Sequence, residues 1–153
     1  MTRPLPVTQS APRAARVCLE VRADAIEVAG LRRRVCALAA DMGMDQQRQA
    51  EVALAVGEAC ANVVVHAYVG FSEPGTIRLT ADAGPDGLIV EVSDQGLGMR
   101  PRRDSPGLGF GLPLIAATAT SVETSQRPRG GSRLRMLFAF SAADTDRSRL
   151  RSV

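Results

Sequence analysis

Between Val52 and Val65 every residue is Ala, Val, Leu, Cys or Gly except Glu58 and Asn62. A helix of that composition is expected to be buried on all sides, where an unpartnered carboxylate is costly. The spacing of four puts both polar residues on one helix face, with His66 one turn further along. A carboxylate and an amide oxygen facing one cavity suit a general base beside a hard cation such as Mg2+, which prefers oxygen ligands and keeps several waters. The same pair would also serve as a polar contact satisfying neighbouring loops. His66, a lone histidine at a helix end, is expected to be structural.

Two glycine-bearing segments follow. In Val92-Ser93-Asp94-Gln95-Gly96-Leu97-Gly98-Met99, strand alternation places Asp94 on the same inward face as Leu88, Val90 and Val92. An acid there can accept a hydrogen bond from an exocyclic amine such as adenine N6, and Gly96 and Gly98 let the backbone approach a flat ring. An ordinary Asp-x-Gly turn reads the same way. Further on, Gly107-Leu108-Gly109-Phe110-Gly111-Leu112-Pro113 opens a helix, and glycine-loop N–H groups at a helix start bind anions. The spacing is GxGxG rather than the GxGxxG of a dinucleotide fold, and an arginine-rich loop precedes it instead of a strand.

The elements that must position these residues are legible from periodicity. Residues 16–23 alternate as a half-buried strand. Asp24 caps a helix to about Asp41 with Ile26, Leu31, Val35, Leu38 and Ala39 as its apolar face, and Gly43 stops it. Asp45 opens a second helix to about Ala67. Ile77, Leu79 and Ala81 mark a strand that turns at Gly84-Pro85-Asp86-Gly87 into another, Leu88 to Asp94. A helix is expected over Leu112–Thr120, a short strand at Val122 and Thr124, and a last strand after the Gly130-Gly131 turn. This order implies an α+β two-layer sandwich, a mostly antiparallel sheet with helices on one face. The expected domain is 16–140, between a loose arm at 1–15 and a polar tail at 141–153.

Composition removes other classes. All 19 cationic residues are arginine, so Walker A loops, eukaryotic-type protein kinases and Schiff-base chemistry, which need lysine, are excluded. Residues 16–140 hold 14 Arg against 14 Asp and Glu, and aromatics are few, which argues against nucleic-acid binding. No apolar run approaches a membrane span, and the first residues have no signal-peptide core. Three cysteines without CxxC spacing read as reduced thiols in a cytoplasm.

Together, Glu58-x-x-x-Asn62, Asp94-x-Gly96-x-Gly98 and Gly107-x-Gly109-x-Gly111-Leu112 resemble, in order, the N, G1 and G2 boxes of the GHKL ATPases, which include gyrase, heat-shock chaperone ATPases and histidine kinases. The phrase Val56-Gly57-Glu58-Ala59-Cys60-Ala61-Asn62-Val63-Val64-Val65-His66-Ala67-Tyr68 most resembles the small anti-sigma-factor serine/threonine kinases, as do the chain's size and Gly130-Gly131-Ser132. The resemblance covers about 16–140 and implies a Bergerat ATP-binding fold. By position it implies that Asn62 ligates Mg2+, Glu58 is the base on a serine hydroxyl, and Asp94 takes adenine N6 beside Gly96 and Gly98. Gly107, Gly109, Gly111 and Leu112 would wrap the phosphates. Ser132 stands where the family usually has a threonine near an adenine-bound water. The implied partners are a sigma factor and an anti-anti-sigma (STAS-type) protein, and homodimers are common in the family. Only seven residues, Arg100 to Pro106, separate Met99 from Gly107, a shorter lid than the family's best-known kinases have. Arg100, Arg102 and Arg103 in it could neutralise phosphates. Two alternatives stay open: a nucleotide-gated binding protein without turnover, and a free-standing histidine-kinase-like ATPase domain.

Overall fold

Asp24 and Asp45 each begin a helix by accepting a backbone N–H through the side chain, from Ile26 at 3.2 Å and from Arg48 at 2.7 Å. Helix α1 (Ala25–Asp41) follows the first cap and α2 (Gln46–Asn62) the second. Gly43, at φ +87°, ends α1 with its N–H on the Ala40 carbonyl, a conformation that glycine adopts without strain. The computed structural model describes residues 15–97, 111–142 and 144. Residues 1–14 of the arm expected at 1–15 and most of the tail expected at 141–153 lie outside them.

Helix α1 buries Leu31, Val35, Leu38 and Ala39, spaced as one helical stripe. Ile26 does not join them. It is 79% exposed, because five residues of helix carry it about 140° around the axis from Leu31. Helix α2 also buries one stripe, Val52, Ala55, Val56, Ala59 and Cys60. The expectation that it is enclosed on all sides is corrected: α1, a later helix α3 (Gly111–Thr118) and the sheet touch it, yet Leu54 stays 43% exposed and Glu58 and Asn62 are half-buried. Small residues let this helix run close to its neighbours without surrounding it. With the π-helical turn at Val63–Ala67 that continues it, the segment Gln46–Ala67 has the length and apolarity of a membrane span, contrary to the expectation above. In this fold it is the central core helix.

Five strands form one antiparallel sheet in the order β1-β2-β3-β5-β4: β1 Arg16–Arg22, β2 Thr76–Gly84, β3 Gly87–Ser93, β5 Ser132–Ala139 and β4 Ser121–Gln126. The short helix α3 (Gly111–Thr118) precedes β4 and packs on α2. Alternation turns Ile77, Leu79, Ala81, Leu88, Val90, Val92, Leu134, Met136 and Phe138 toward the helices, all buried, which makes the two-layer α+β sandwich. Strand β4 is longer than Val122 and Thr124 suggest. It is an exposed edge strand, so polar residues complete it.

The folded body continues past residue 140. Asp144 is buried, and its carboxylate accepts the N–H groups of Asp45 and Ser141, both at 2.8 Å. Burial alone would raise the Asp144 carboxyl, but these hydrogen bonds and the nearby Arg48 guanidinium hold it below the usual carboxylate range. Arg48 clamps the same corner, reaching the Ala139 carbonyl through Nε at 3.2 Å and Nη2 at 2.9 Å and Glu51 at 2.7 Å.

Candidate functional site

Asp94 lies one step beyond β3 and keeps that strand's inward direction. It is 3% exposed. Its Oδ1 accepts the Gly96 N–H at 2.9 Å, closing the Asx turn that the sequence allowed, and its Oδ2 accepts the Ser132 hydroxyl at 2.6 Å. The Asp94 N–H donates to the Ser132 carbonyl at 3.1 Å, so the two residues are fastened through backbone and side chain together. Each carboxylate oxygen retains lone-pair capacity for a further donor.

The chain around Asp94 is held by close backbone approaches. A Cβ on Gly96 would collide with the Ala67 carbonyl, and one on Gly131 (φ +87°) with the Asp94 carbonyl. Leu97 donates its N–H to the Ala67 carbonyl at 2.7 Å, joining this loop to the π-helical turn. The Tyr68 hydroxyl donates to the Thr76 carbonyl at 2.6 Å and accepts N–H groups from Thr76 at 3.0 Å and Gln95 at 3.1 Å. It thereby pins the helix end, the start of β2 and the Asp94 loop to one oxygen. Sequence reasoning gave Tyr68 no role; its being the chain's sole tyrosine, directly after the apolar helix, was the available signal.

Ala59, Asn62, Val63 and His66 roof a cavity of about 20 Å3 over Val92, Asp94, Ser132 and Leu134. That is room for about one water. Asn62 reaches both the cavity and the start of α3. There a Cβ on Gly111 would stand 3.1 Å from Asn62 Nδ2 and 3.4 Å from Glu58 Oε2, so glycine lets the helix start press on both polar side chains. Among the described residues, no hydrogen bond or ion pair uses Glu58 or Asn62. Leu112, beside Gly111, is 41% exposed. Gly98, Gly107 and Gly109, with Arg100, Arg102 and Arg103, lie outside the described residues. Cys60 is no nucleophile, since burial pushes its thiol up to about 12.

The fold therefore gathers Asp94, Gly96 and Ser132 at the sheet end and Glu58 and Asn62 on the facing helix, with Gly111 against the latter two side chains. A buried acid poised for a donor, with an uncommitted carboxylate and amide nearby, can recognise an amine-bearing ring and handle a proton or a hard cation beside it. Among the described residues no three His, Cys, Asp or Glu converge on a metal ion.

Comparison with known proteins agrees with this fold. Residues 21–138 match a family model described as a histidine kinase-like ATPase domain. Among solved structures, the histidine kinase domain of the Erythrobacter litoralis EL346 blue-light activated histidine kinase superposes with a TM-score of 0.55 at 19% identity, over 76% of this chain. The chain spans 62% of that structure's length. No curated protein matches the sequence.

Proposed function

The chain belongs to the histidine kinase-like ATPase domain family, and from that premise we propose that it is an ATP-dependent anti-sigma factor with serine kinase activity toward an anti-anti-sigma (STAS-type) partner. The observation that carries the nucleotide reading is the buried Asp94 carboxylate, oriented by Ser132 at 2.6 Å on the wall of the helix–sheet cavity. Its lone pairs suit adenine N6. The oxygen of Asn62 and the carboxylate of Glu58, which have no hydrogen-bond partner among the described residues, are oxygen donors of the kind that suits Mg2+ retaining most of its waters. The cavity takes about one water, so admitting a purine requires its roof, Asn62 and His66 included, to yield.

In this reading Asp94 and Gly96 recognise the base, Ser132 orients Asp94, and Asn62 holds the metal. Gly111 leads the phosphates to the start of α3, with Gly98, Gly107 and Gly109 completing the loops. Bound ATP with Mg2+ supplies the phosphoryl group. Glu58 takes the proton from the incoming serine hydroxyl at Oε2. The anti-sigma assignment rests on the motif phrase from Val56 to Tyr68, and a bound sigma factor would be held inactive.

Titration calorimetry with ATP and GTP tests the base contact. We expect ATP to be preferred and Asp94→Asn to lose about tenfold or more in affinity with or without metal, while Asn62→Ala loses only the Mg2+-dependent part. Equal binding of the two nucleotides would overturn the adenine contact. Incubation with [γ-32P]ATP and STAS-type candidates then tests turnover: absence of serine labelling alongside tight ATP binding would favour a nucleotide-gated binding protein.

A further inference from the structure

The alternation that turns Asp94 and Ser132 inward turns their neighbours Ser93 and Arg133 outward, onto the sheet face opposite the helices. Strand register sets Arg78, Ser93 and Arg133 side by side in one row across β2, β3 and β5, with Arg135 opposite Glu91 in the next. With Arg16 and Arg127 they line a concavity of about 450 Å3. Its two carboxylates are each engaged by an arginine: Asp82 by Arg16 at 3.2 Å and Glu91 by Arg133 at 3.1 Å.

Arg78, Arg127 and Arg135 have no carboxylate partner among the described residues. Glu20 and Glu123 lie opposite Arg78 and Arg135 in the register, but outside the concavity, and neither closes an ion pair among the described residues. Five arginines against two carboxylates among the described residues give this surface a local charge of +3, although residues 16–140 are neutral as a whole. Among the described residues Ile89 is its single apolar one, so attraction there is electrostatic rather than hydrophobic. Guanidinium forks match carboxylates geometrically.

We propose that this outer face docks an acidic, extended segment of a partner polypeptide, its carboxylates held by Arg78, Arg127 and Arg135. Charge complementarity and a concavity crossing three strands favour such a segment over a compact ion. Because Asp94 and Ser132 point to the other face, the segment and a nucleotide bind together rather than in competition. Arg127 belongs to both surfaces, since its Nη1 also donates to the Asp94 carbonyl at 3.1 Å. This docking does not depend on the kinase reading.

The test uses the full chain and fluorescein-labelled Glu-rich, Gln-rich and Lys-rich peptides of equal length, followed by anisotropy. The Glu-rich peptide should bind selectively, weaken steeply as salt rises, and be retained under saturating ATP with Mg2+. A double Arg78→Ser, Arg135→Ser variant should melt like the wild type and bind about tenfold or more weakly. Equal binding of the three peptides, displacement by ATP, or undiminished binding by the double variant would each overturn the proposal. So would sedimentation showing a dimer that the double variant dissociates, because the face would then be a contact between copies of the chain. If the double variant unfolds, the salt series and peptide selectivity of the wild type still decide.

Discussion

Replacing Ser132 with alanine tests how the sheet end presents its acid. The Ser132 hydroxyl and Asp94 Oδ2 are 2.6 Å apart, in residues 5% and 3% exposed, so solvent cannot readily supply the missing donor. A hydrogen bond to a charged acceptor in such a place contributes about 1.5–3 kcal/mol. Removing one oxygen atom leaves little cavity, so this loss is the main effect. For a domain of this size each kcal/mol shifts Tm by about 2–4 °C, and Ser132→Ala should therefore melt about 3–12 °C lower, with unfolding still cooperative. Ser132→Thr keeps the hydroxyl, adds a β-branch suited to a strand, and should recover most of that loss. Differential scanning calorimetry at neutral pH, with ATP titrations alongside, measures both. Affinity should fall with Ala and return with Thr. If Ser132→Ala melts with the wild type, or if Thr melts as low as Ala, the hydroxyl is not what holds Asp94 and the reasoning fails.

Three further outcomes follow from the same geometry. Glu58→Gln keeps side-chain shape on a half-buried face, so fold and ATP binding should persist while, under the proposed kinase activity, phosphoryl transfer to a partner serine drops by about 10²–10⁴-fold; loss of ATP binding would make Glu58 a metal-shell residue instead. Tyr68→Phe strands the N–H groups of Thr76 and Gln95 and the Thr76 carbonyl, which should cost about 1–3 kcal/mol in urea unfolding and speed amide exchange at Gln95. Asp144 has a folded-state pKa below its ordinary 3.8, so it stabilises the fold above that pH and ceases to as pH falls through the folded value. Asp144→Asn should accordingly be less stable than the wild type at neutral pH in thermal melts, with the gap closing on acidification below 3.8.

Much of the scaffold was written locally. Asp24, Asp45 and Gly43 announce helix ends because their side chains, or the lack of one, satisfy backbone groups within a few residues. Two-residue periodicity sends Leu88, Val90, Val92 and Asp94 inward wherever a sheet has one covered face, and four-residue spacing puts Glu58 and Asn62 on one side of a helix. The three boxes gave the family for the same reason: the residues of each are close neighbours in the chain. Local pattern was weakest at edges. Ile26 is apolar but off the stripe, and β4 is a strand whose exposed residues need not alternate.

What tertiary structure alone decided are pairings between distant segments. Asp94 and Ser132 are 38 positions apart and Tyr68 and Gln95 are 27 apart; the resemblance brought Asp94 and Ser132 to one base, but no local pattern gave either hydrogen bond. The exposure of Leu54 could not be read from an apolar sequence either, because it depends on which neighbours leave one side of α2 open. The strand order β1-β2-β3-β5-β4 sets β5 beside β3 and brings Ser132 to the acid, and it lines up arginines from three strands on the opposite face. Sequence determines which way each side chain points from its own element; only packing of the elements determines what that side chain meets.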